Sequence, residues 1–273
     1  MSKFTLFLTM LAIGVVGQAC SVEAPDGSGF DVILAGEHRS EANRKRDSYR
    51  HPQETLEFFG LTEDTHVVEI WPAGGWYTEV IAPYVNERGK YYAAHWDPDS
   101  DIEFIQRGAR AYQDKLAAHQ ELYGNTEMTV LMPPDSLEIA PPESVDLVVT
   151  FRNIHNWMPR GSADAIFSAM YRALKPGGVL GVVEHRGNPT VPQDPKAASG
   201  YVNQDYAIEL AERAGFVLDA TSEINANPND TKDYEPGVWT LPPTLRLKEQ
   251  DQDKYLAIGE SDRFTLRFVK PVA

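Results

Sequence analysis

Two histidines are the best candidates for chemistry, because each follows an apolar run of the kind that forms a buried strand. His155 comes just after a run that ends at Phe151, and His185 follows the run 179–184. Histidine titrates near neutral pH, so either ring could take a proton from a bound molecule. Each could equally be a capping or hydrogen-bonded structural residue. Arg152 lies in the same turn as His155 and could also meet a substrate. We therefore take Arg152, His155 and His185 as the candidate catalytic residues.

A candidate binding site begins at Glu69, which lies near the end of the apolar run 67–70. The turn Trp71-Pro-Ala-Gly-Gly-Trp76 follows, and then an amphipathic segment, 80–85. A strand, turn and helix in this order place backbone N–H groups at the carboxyl edge of a sheet, where charged small molecules bind. Glu69 could accept hydrogen bonds from an ammonium or hydroxyl group. We therefore expect a ligand with a cationic part.

Strands and helices alternate along the rest of the chain, which predicts a doubly wound α/β fold with a parallel core sheet. The predicted strands cover 67–70, 90–97, 128–132, 146–151, 179–184, 216–223 and 264–269. The predicted helices cover 80–85, 101–118, 163–174 and 201–214.

Charge and cysteine content exclude several classes of protein. Lys and Arg number 25 against 40 Asp and Glu, so the formal net charge is −15. Such an acidic surface repels phosphate backbones, which argues against nucleic acid and leaves a small molecule as the expected partner.

Cys20 is the single cysteine, so an intrachain disulfide and a cysteine-based zinc site are excluded. No cluster with metal-ligand spacing is present in the sequence, and we predict no metal. The oligomeric state stays open.

The N-terminus has the layout of an export signal. A lysine precedes an apolar run, 4–16, which is too short to span a membrane, and small residues lead to Cys20. We predict that residues 1–19 are removed and that 20–29 form a flexible linker. The layout resembles a bacterial lipoprotein signal, which implies a periplasmic protein anchored to the membrane through lipid on Cys20 alone. Ordinary cleavage after Ala19, giving a soluble secreted protein, is the alternative.

Residues 30–273 are predicted to form one domain with two additions. The first is an N-terminal helical cap, at about 35–60, which contains the charged run 41–50. That run is either a solvated helix face or a cover over the ligand site, with Tyr49, Arg50 and His51 facing inward. The second addition is a long connection between the last two strands, 225–262. Its part 225–246 either closes the pocket or covers an edge of the sheet.

Four stretches together resemble the class I S-adenosylmethionine (SAM)-dependent methyltransferases, over roughly residues 60–270. They are the Glu69–Gly75 loop, Asp146–Trp157, the Leu174-Lys-Pro-Gly-Gly178 turn, and Ala214-Gly-Phe216. Glu-Ile-Trp-Pro, Phe-Arg-Asn-Ile-His-Asn-Trp and Gly-Glu-Ser-Asp-Arg are more narrowly similar to an uncharacterised exported bacterial branch of that family.

The resemblance implies a Rossmann-like sheet of seven strands in the order 3-2-1-4-5-7-6, with strand seven antiparallel and helices on both faces. It also implies SAM as the cofactor. The residues that it places at the cofactor are Glu69, Trp71, Ala73, Gly74, Gly75, Trp76, His95, Asp97, Asp135, Arg152 and Asn153.

The first loop departs from the family pattern, acid-x-Gly-x-Gly-x-Gly. Glu69 matches the acid and Gly75 the last glycine, but Trp71 and Ala73 replace the first two glycines. Neither residue readily takes the positive φ angles that glycine allows. We therefore expect a differently shaped turn, with the indole of Trp71 as a wall of the pocket.

The family holds the ribose hydroxyls with an acid at the end of strand two. Strict alignment puts His95 there, whereas Asp97 follows two residues later. We favour Asp97, because a carboxylate can accept from both hydroxyls, and we keep His95 as the alternative. Asp135 would flank the adenine, although an aspartate in a turn after two prolines is as often structural.

The resulting functional hypothesis is SAM-dependent methyl transfer to an unidentified small molecule. The competing hypothesis is an exported protein of methyltransferase fold that binds another ligand without catalysis, since SAM is made in the cytoplasm. A dinucleotide-dependent dehydrogenase is disfavoured, because Gly-x-Gly-x-x-Gly is absent from residues 71–76.

Overall fold

The computed structural model describes Met1 and residues 29–272. Cys20 and nearly all of the proposed signal and linker lie outside this range. Within it, none of the helices has both the length and the apolar character needed to cross a membrane.

Seven strands form one sheet in the order β3-β2-β1-β4-β5-β7-β6. The strands are β1 (His66–Ile70), β2 (Lys90–His95), β3 (Thr126–Val130), β4 (Val145–Phe151), β5 (Leu174–His185), β6 (Val217–Ser222) and β7 (Arg263–Val269). β7 runs antiparallel to both of its neighbours, whereas the first five strands pair in parallel. The predicted fold class, strand order and direction of strand seven are confirmed.

Helices cover the sheet and make up most of the N-terminal segment. They are α1 (Gly29–Ala35), α2 (Glu41–Arg44), α3 (Asp47–Arg50), α4 (Pro52–Phe58), α5 (Thr78–Val85), α6 (Glu103–Ala118), α7 (Gln120–Tyr123), α8 (Ile154–Trp157), α9 (Ala163–Ala173), α10 (Gln204–Arg213) and α11 (Gln252–Ile258). Single-turn 3₁₀ segments occupy Met158–Arg160 and Gly237–Thr240.

Strand boundaries differ most from the sequence prediction at β5. β5 begins at Leu174, five residues earlier than predicted, because Leu174 pairs with Val145 before the register shifts. The turn sequence Lys-Pro-Gly-Gly hides this pairing, since proline and glycine are typical of loops. β2 ends at His95, so Asp97 lies in the loop beyond it.

The sheet has a hydrophobic core on each face, as a doubly wound fold requires. One face packs Val68, Val148 and Leu180 against α9 and α10. The other packs Val67, Leu147 and Val149 against α4, α5 and α6.

Residues of the charged run 41–50 differ in their exposure. Arg50 is only 2% exposed and points inward, whereas Tyr49 is 41% exposed. The alternative in which Tyr49 faces inward is therefore wrong for this residue. The cause is helical geometry, since successive residues of α3 project about 100° apart and cannot share one face.

Candidate functional site

A cavity of about 390 Å³ opens at the carboxyl edge of the parallel strands. Segments that follow β1, β2, β4 and β5 line it, as the topology of an open α/β sheet predicts. The β6–β7 connection forms another wall. The lining residues are Glu69, Trp71, Pro72, Ala73, Trp76, Tyr77, Trp96, Phe104, Phe151, Arg152, Asn153, His155, Asn156, Arg160, His185, Val238, Trp239, Pro242, Pro243, Thr244, Glu260, Ser261 and Arg263.

His155 lies in this cavity on the single turn of α8 and forms a pair with Glu184. Its Nδ1 is 3.0 Å from Oε1 of Glu184, whose carboxylate is fully buried at the end of β5. The same carboxylate accepts the backbone N–H of His185 at 2.8 Å and that of His155 at 3.4 Å. Because an ionised carboxylate only accepts hydrogen bonds, Nδ1 of His155 must carry the proton. In a neutral ring with this tautomer, Nε2 is the nitrogen that can accept a proton.

His185 lies beside His155, with ring centroids 5.3 Å apart. Its Nδ1 is 2.6 Å from Oγ of Ser261. Burial lowers the pKa of His185 well below the ordinary value, and the neighbouring His155 and the charges of Arg263 and Arg152 lower it further. His185 is therefore neutral at pH 7.

His155, Glu184 and His185 can each bring one ligand atom to within 4.8 Å of the others. Two imidazoles and a carboxylate are a familiar donor set for a transition metal. However, the arginine charges that lower the pKa of His185 also oppose a bound dication. Glu184 is in addition already occupied by three hydrogen bonds. A base and its orienting carboxylate fit these contacts better than a metal centre does.

The first loop takes the angles that its sequence disfavours. Trp71, Ala73 and Gly75 have φ of +44°, +52° and +76°. The expectation that Trp71 and Ala73 would avoid positive φ is therefore wrong. Tertiary contacts explain the outcome: the Trp71 indole N–H donates to the carbonyl of Leu131 at 2.9 Å, and its ring meets Trp157 edge-on. The indole also lines the cavity, as expected.

Glu69 lines the cavity but is already hydrogen-bonded. Its Oε2 accepts from the hydroxyl of Tyr91 at 2.5 Å and from that of Thr78 at 3.4 Å. Burial raises the pKa of Glu69 to about 7, against the lowering effect of these hydrogen bonds. Near neutral pH the group is therefore partly protonated, and it can both donate and accept.

The two candidates for holding ribose lie outside the cavity lining. His95 is fully buried, and its Nδ1 accepts the backbone N–H of Trp96 at 2.7 Å. The ring proton is therefore on Nε2, which donates to the carbonyl of Ala73 at 3.0 Å. His95 thus supports the first loop from behind. The carboxylate of Asp97 accepts the N–H of Asp99 at 2.9 Å, as in an Asx turn.

Four further residues placed at the cofactor by resemblance also have structural contacts. Asp135 is exposed in a turn between Met132 and Ser136. The carbonyl of Gly74 accepts from Lys115. Asn153 lines the cavity, and its amide donates to the carbonyl of Ile70 at 2.8 Å, which joins the ends of β4 and β1. Gly75 packs against Tyr112, which a Cβ at this position would approach to 3.0 Å.

Arginines surround the other end of the cavity. Arg46 and Arg50 reach Glu260 through Nε at 2.5 Å and 3.3 Å, and Arg263 contacts the same carboxylate. Burial raises the pKa of Glu260, but the charges of Arg263 and Arg50 outweigh it and hold this pKa far below its ordinary value. Burial and the charge of Arg263 lower the pKa of Arg152 to about 10.

Sequence reasoning missed Glu184, Trp96, Trp239 and Glu260 as parts of the site. Glu184 carries a usable signal, since it is the one acid in the apolar run 179–184. A charge inside a buried strand is rare unless it is paired, and it therefore marks a site. Trp239 and Glu260 come from the long β6–β7 connection, whose path the sequence pattern does not define.

Comparison with solved structures identifies the fold. A SAM-dependent methyltransferase from Aquifex aeolicus matches with a TM-score of 0.54 at 16% identity, covering 83% of this chain and 93% of that one. The fold is that of the class I SAM-dependent methyltransferases. The [4+2]-cyclase SpnF matches with a TM-score of 0.57 at 15% identity, covering 88% of this chain and 86% of that one.

Phosphoethanolamine N-methyltransferase 2 of Haemonchus contortus, solved in complex with SAM, gives a TM-score of 0.53 at 18% identity. The match covers 90% of this chain and 60% of the Haemonchus enzyme. No family model matches the sequence, and no curated protein matches it. At these identities the likeness establishes the fold and leaves the reaction to be argued from the site.

Proposed function

We propose that the protein is a SAM-dependent methyltransferase acting on a small molecule, with His155 as the general base. The observation that carries this proposal is the His155–Glu184 pair, 3.0 Å apart, in a cavity at the carboxyl edge of a methyltransferase fold. The structural relatives support the reaction class, since one is a SAM-dependent methyltransferase and another was solved with SAM.

The cavity has lining suited to SAM. Trp96 and Phe104, at the β2 end, offer aromatic faces to a purine, and their own ring centroids are 5.5 Å apart. The Trp71–Trp76 loop would hold the amino-acid part, with Glu69 able to accept from its ammonium group. The predicted ribose contact from Asp97 has no support in the cavity lining. When bound, SAM supplies an electrophilic methyl group.

The residues of the chain orient the acceptor and move its proton. Nε2 of His155 takes the proton from the acceptor, and Glu184 stabilises the imidazolium that forms. Trp71, Trp76 and Trp239 wall the cavity and limit the access of water to it. A general base of this kind contributes about 10²–10⁴-fold to the rate.

Calorimetry with S-adenosylhomocysteine, the demethylated product, tests the cofactor. Wild-type protein should bind one equivalent. Turnover can be followed as S-adenosylhomocysteine formed from SAM in the presence of a panel of small acceptors. His155→Ala should lower that turnover about 10²–10⁴-fold while the affinity for S-adenosylhomocysteine stays nearly unchanged.

His119→Ala is the matched control, because His119 forms a similar pair with Glu121, at 3.2 Å, on the exposed surface. It should change neither quantity. If wild-type protein binds no S-adenosylhomocysteine at millimolar concentration, the methyltransferase proposal fails. A protein of this fold that binds another ligand would then explain the cavity, and a cyclase of the same fold exists.

We also propose that the protein is exported and held at the membrane by lipid on Cys20. The support is the sequence alone: an apolar run, small residues, a single cysteine and a polar linker. One acyl chain anchors a protein only marginally, so stable anchoring here would need more than one.

A further inference from the structure

The cavity contains more positive charge than its own acids neutralise. Arg152 and Arg263 line it, and Arg46 and Arg50 lie directly behind. Three of these arginines contact the same carboxylate, that of Glu260. This concentration of guanidinium groups is unexpected in a chain whose formal net charge is −15.

Among these four arginines, Arg152 is the one whose guanidinium group does not contact Glu260. Within residues 29–272 its guanidinium group makes no hydrogen bond or ion pair, although it is largely enclosed by the cavity walls. Its backbone has a φ of +62°, a strained angle for a long side chain, immediately after β4. Strain and an unpaired charge at one residue both cost stability, so a functional contact would account for them.

The neighbouring arginines also have unused donors. Nη1 of Arg50 and Nε of Arg263 are buried and lack a hydrogen-bond acceptor. Arg50 is 2% exposed, and its guanidinium carbon lies 4.6 Å from the ring centroid of Trp76, which lines the cavity. Buried donors of this kind are rarely left unsatisfied.

The position of the charge separates it from the proposed purine-binding residues, Trp96 and Phe104. Arg152 follows β4 and Arg263 begins β7, whereas Trp96 and Phe104 lie beyond β2. In the sheet order, β1 stands between β2 and β4. The arginines therefore lie on the side of His155 and His185.

We propose that the methyl acceptor carries an anionic group, a carboxylate or a phosphate, which Arg152 binds with help from Arg263. Guanidinium groups bind both anions in bidentate fashion, which would position the acceptor as well as hold it. The identification of the anion as part of a methyl acceptor rests on the proposed function, but the anion site itself does not. SAM also has a carboxylate, and the experiment separates the two sources.

Calorimetric titration with inorganic phosphate and with benzoate tests the site, with and without saturating S-adenosylhomocysteine. Wild-type protein should bind at least one of the two anions, and the presence of S-adenosylhomocysteine should not prevent it. Arg152→Gln should weaken that binding about ten- to a hundredfold, because one charge-assisted contact is lost. Arg152→Lys keeps the charge and should retain most of the affinity for phosphate.

Arg107→Gln is the control, since Arg107 pairs with Glu103 on the exposed face of α6. It should bind anions as the wild type does, and thermal unfolding should show all variants folded. The proposal is overturned if wild-type protein binds neither anion or if Arg152→Gln binds them unchanged. It is also overturned if S-adenosylhomocysteine abolishes the binding, because the anion is then the cofactor's own carboxylate. Anion binding in a protein that does not bind S-adenosylhomocysteine would defeat the methyltransferase proposal and leave the anion site standing.

Discussion

Replacing Glu260 by glutamine should strongly destabilise the protein. Glu260 is 2% exposed and contacts the guanidinium groups of Arg46, Arg50 and Arg263. The amide keeps the shape of the side chain but removes the single charge that these groups share. Removing one partner of a buried ion pair costs about 3–5 kcal/mol, because the remaining charge stays buried without compensation. For a chain of this size that corresponds to a fall in melting temperature of about 6–20 °C.

Urea unfolding of Glu260→Gln measures this loss, with Glu223→Gln as the control. Glu223 contacts Arg186 at 2.5 Å, but its side chain is 65% exposed. An exposed ion pair contributes about 0–1 kcal/mol, so the control should lie close to the wild type. A Glu260→Gln variant within about 1 kcal/mol of the wild type would show that the arginines do not depend on this carboxylate.

The contribution of Glu260 should also depend on pH. Its pKa in the folded protein lies below the ordinary value of 4.5, so its stabilising effect is fully present above that value. The effect is lost as pH falls toward the folded pKa. The difference in unfolding free energy between wild type and Glu260→Gln should therefore narrow in acid below about pH 4.5.

Three further predictions concern other parts of the chain. Ala73→Gly should stabilise the protein by up to about 1 kcal/mol in urea unfolding, because Ala73 has a φ of +52°. Ala117→Gly, in the helix α6, should instead lower the unfolding free energy by about 1 kcal/mol. The pKa of Glu69 in the folded protein is about 7, above its ordinary value of 4.5. The free energy of unfolding should therefore fall as pH rises from 4.5 to about 7, and Glu69→Gln should remove that dependence. Cys20→Ser should move the protein from the membrane to the soluble fraction after cell fractionation.

Opposite results would contradict each of these predictions. Destabilisation by Ala73→Gly would show that the first loop bears no strain at Ala73. The same pH dependence of unfolding in Glu69→Gln and wild type would show that Glu69 is not the group that titrates. An intact mass for an unmodified Cys20 N-terminus would exclude the lipid anchor.

The fold was predictable because its signals are local. Apolar runs such as 146–151, bounded by turn residues, are long enough to identify strands without tertiary information. The alternation of strands with amphipathic helices then leaves few topologies. The start of β5 was missed because its first residues, Lys-Pro-Gly-Gly, have loop propensities that strand pairing overrides.

The site was only partly predictable, because its contacts join distant segments. Topology places His155 and His185 at one edge of the sheet, and the sequence is sufficient for that inference. The contact between Arg50 and Glu260 joins residues 210 positions apart, and no local pattern encodes it. The positive φ of Trp71 was missed for a related reason: local preference opposes it, and long-range contacts of the indole outweigh that preference.

The tryptophans give the cavity an optical signal of its own. The chain has five of them. Trp71, Trp76, Trp96 and Trp239 line the cavity, and the ring of Trp157 contacts that of Trp71, with centroids 6.2 Å apart. Intrinsic fluorescence of this protein therefore arises almost entirely at one place. A ligand that enters the cavity changes the surroundings of these emitters directly, so binding can be followed by emission without a label.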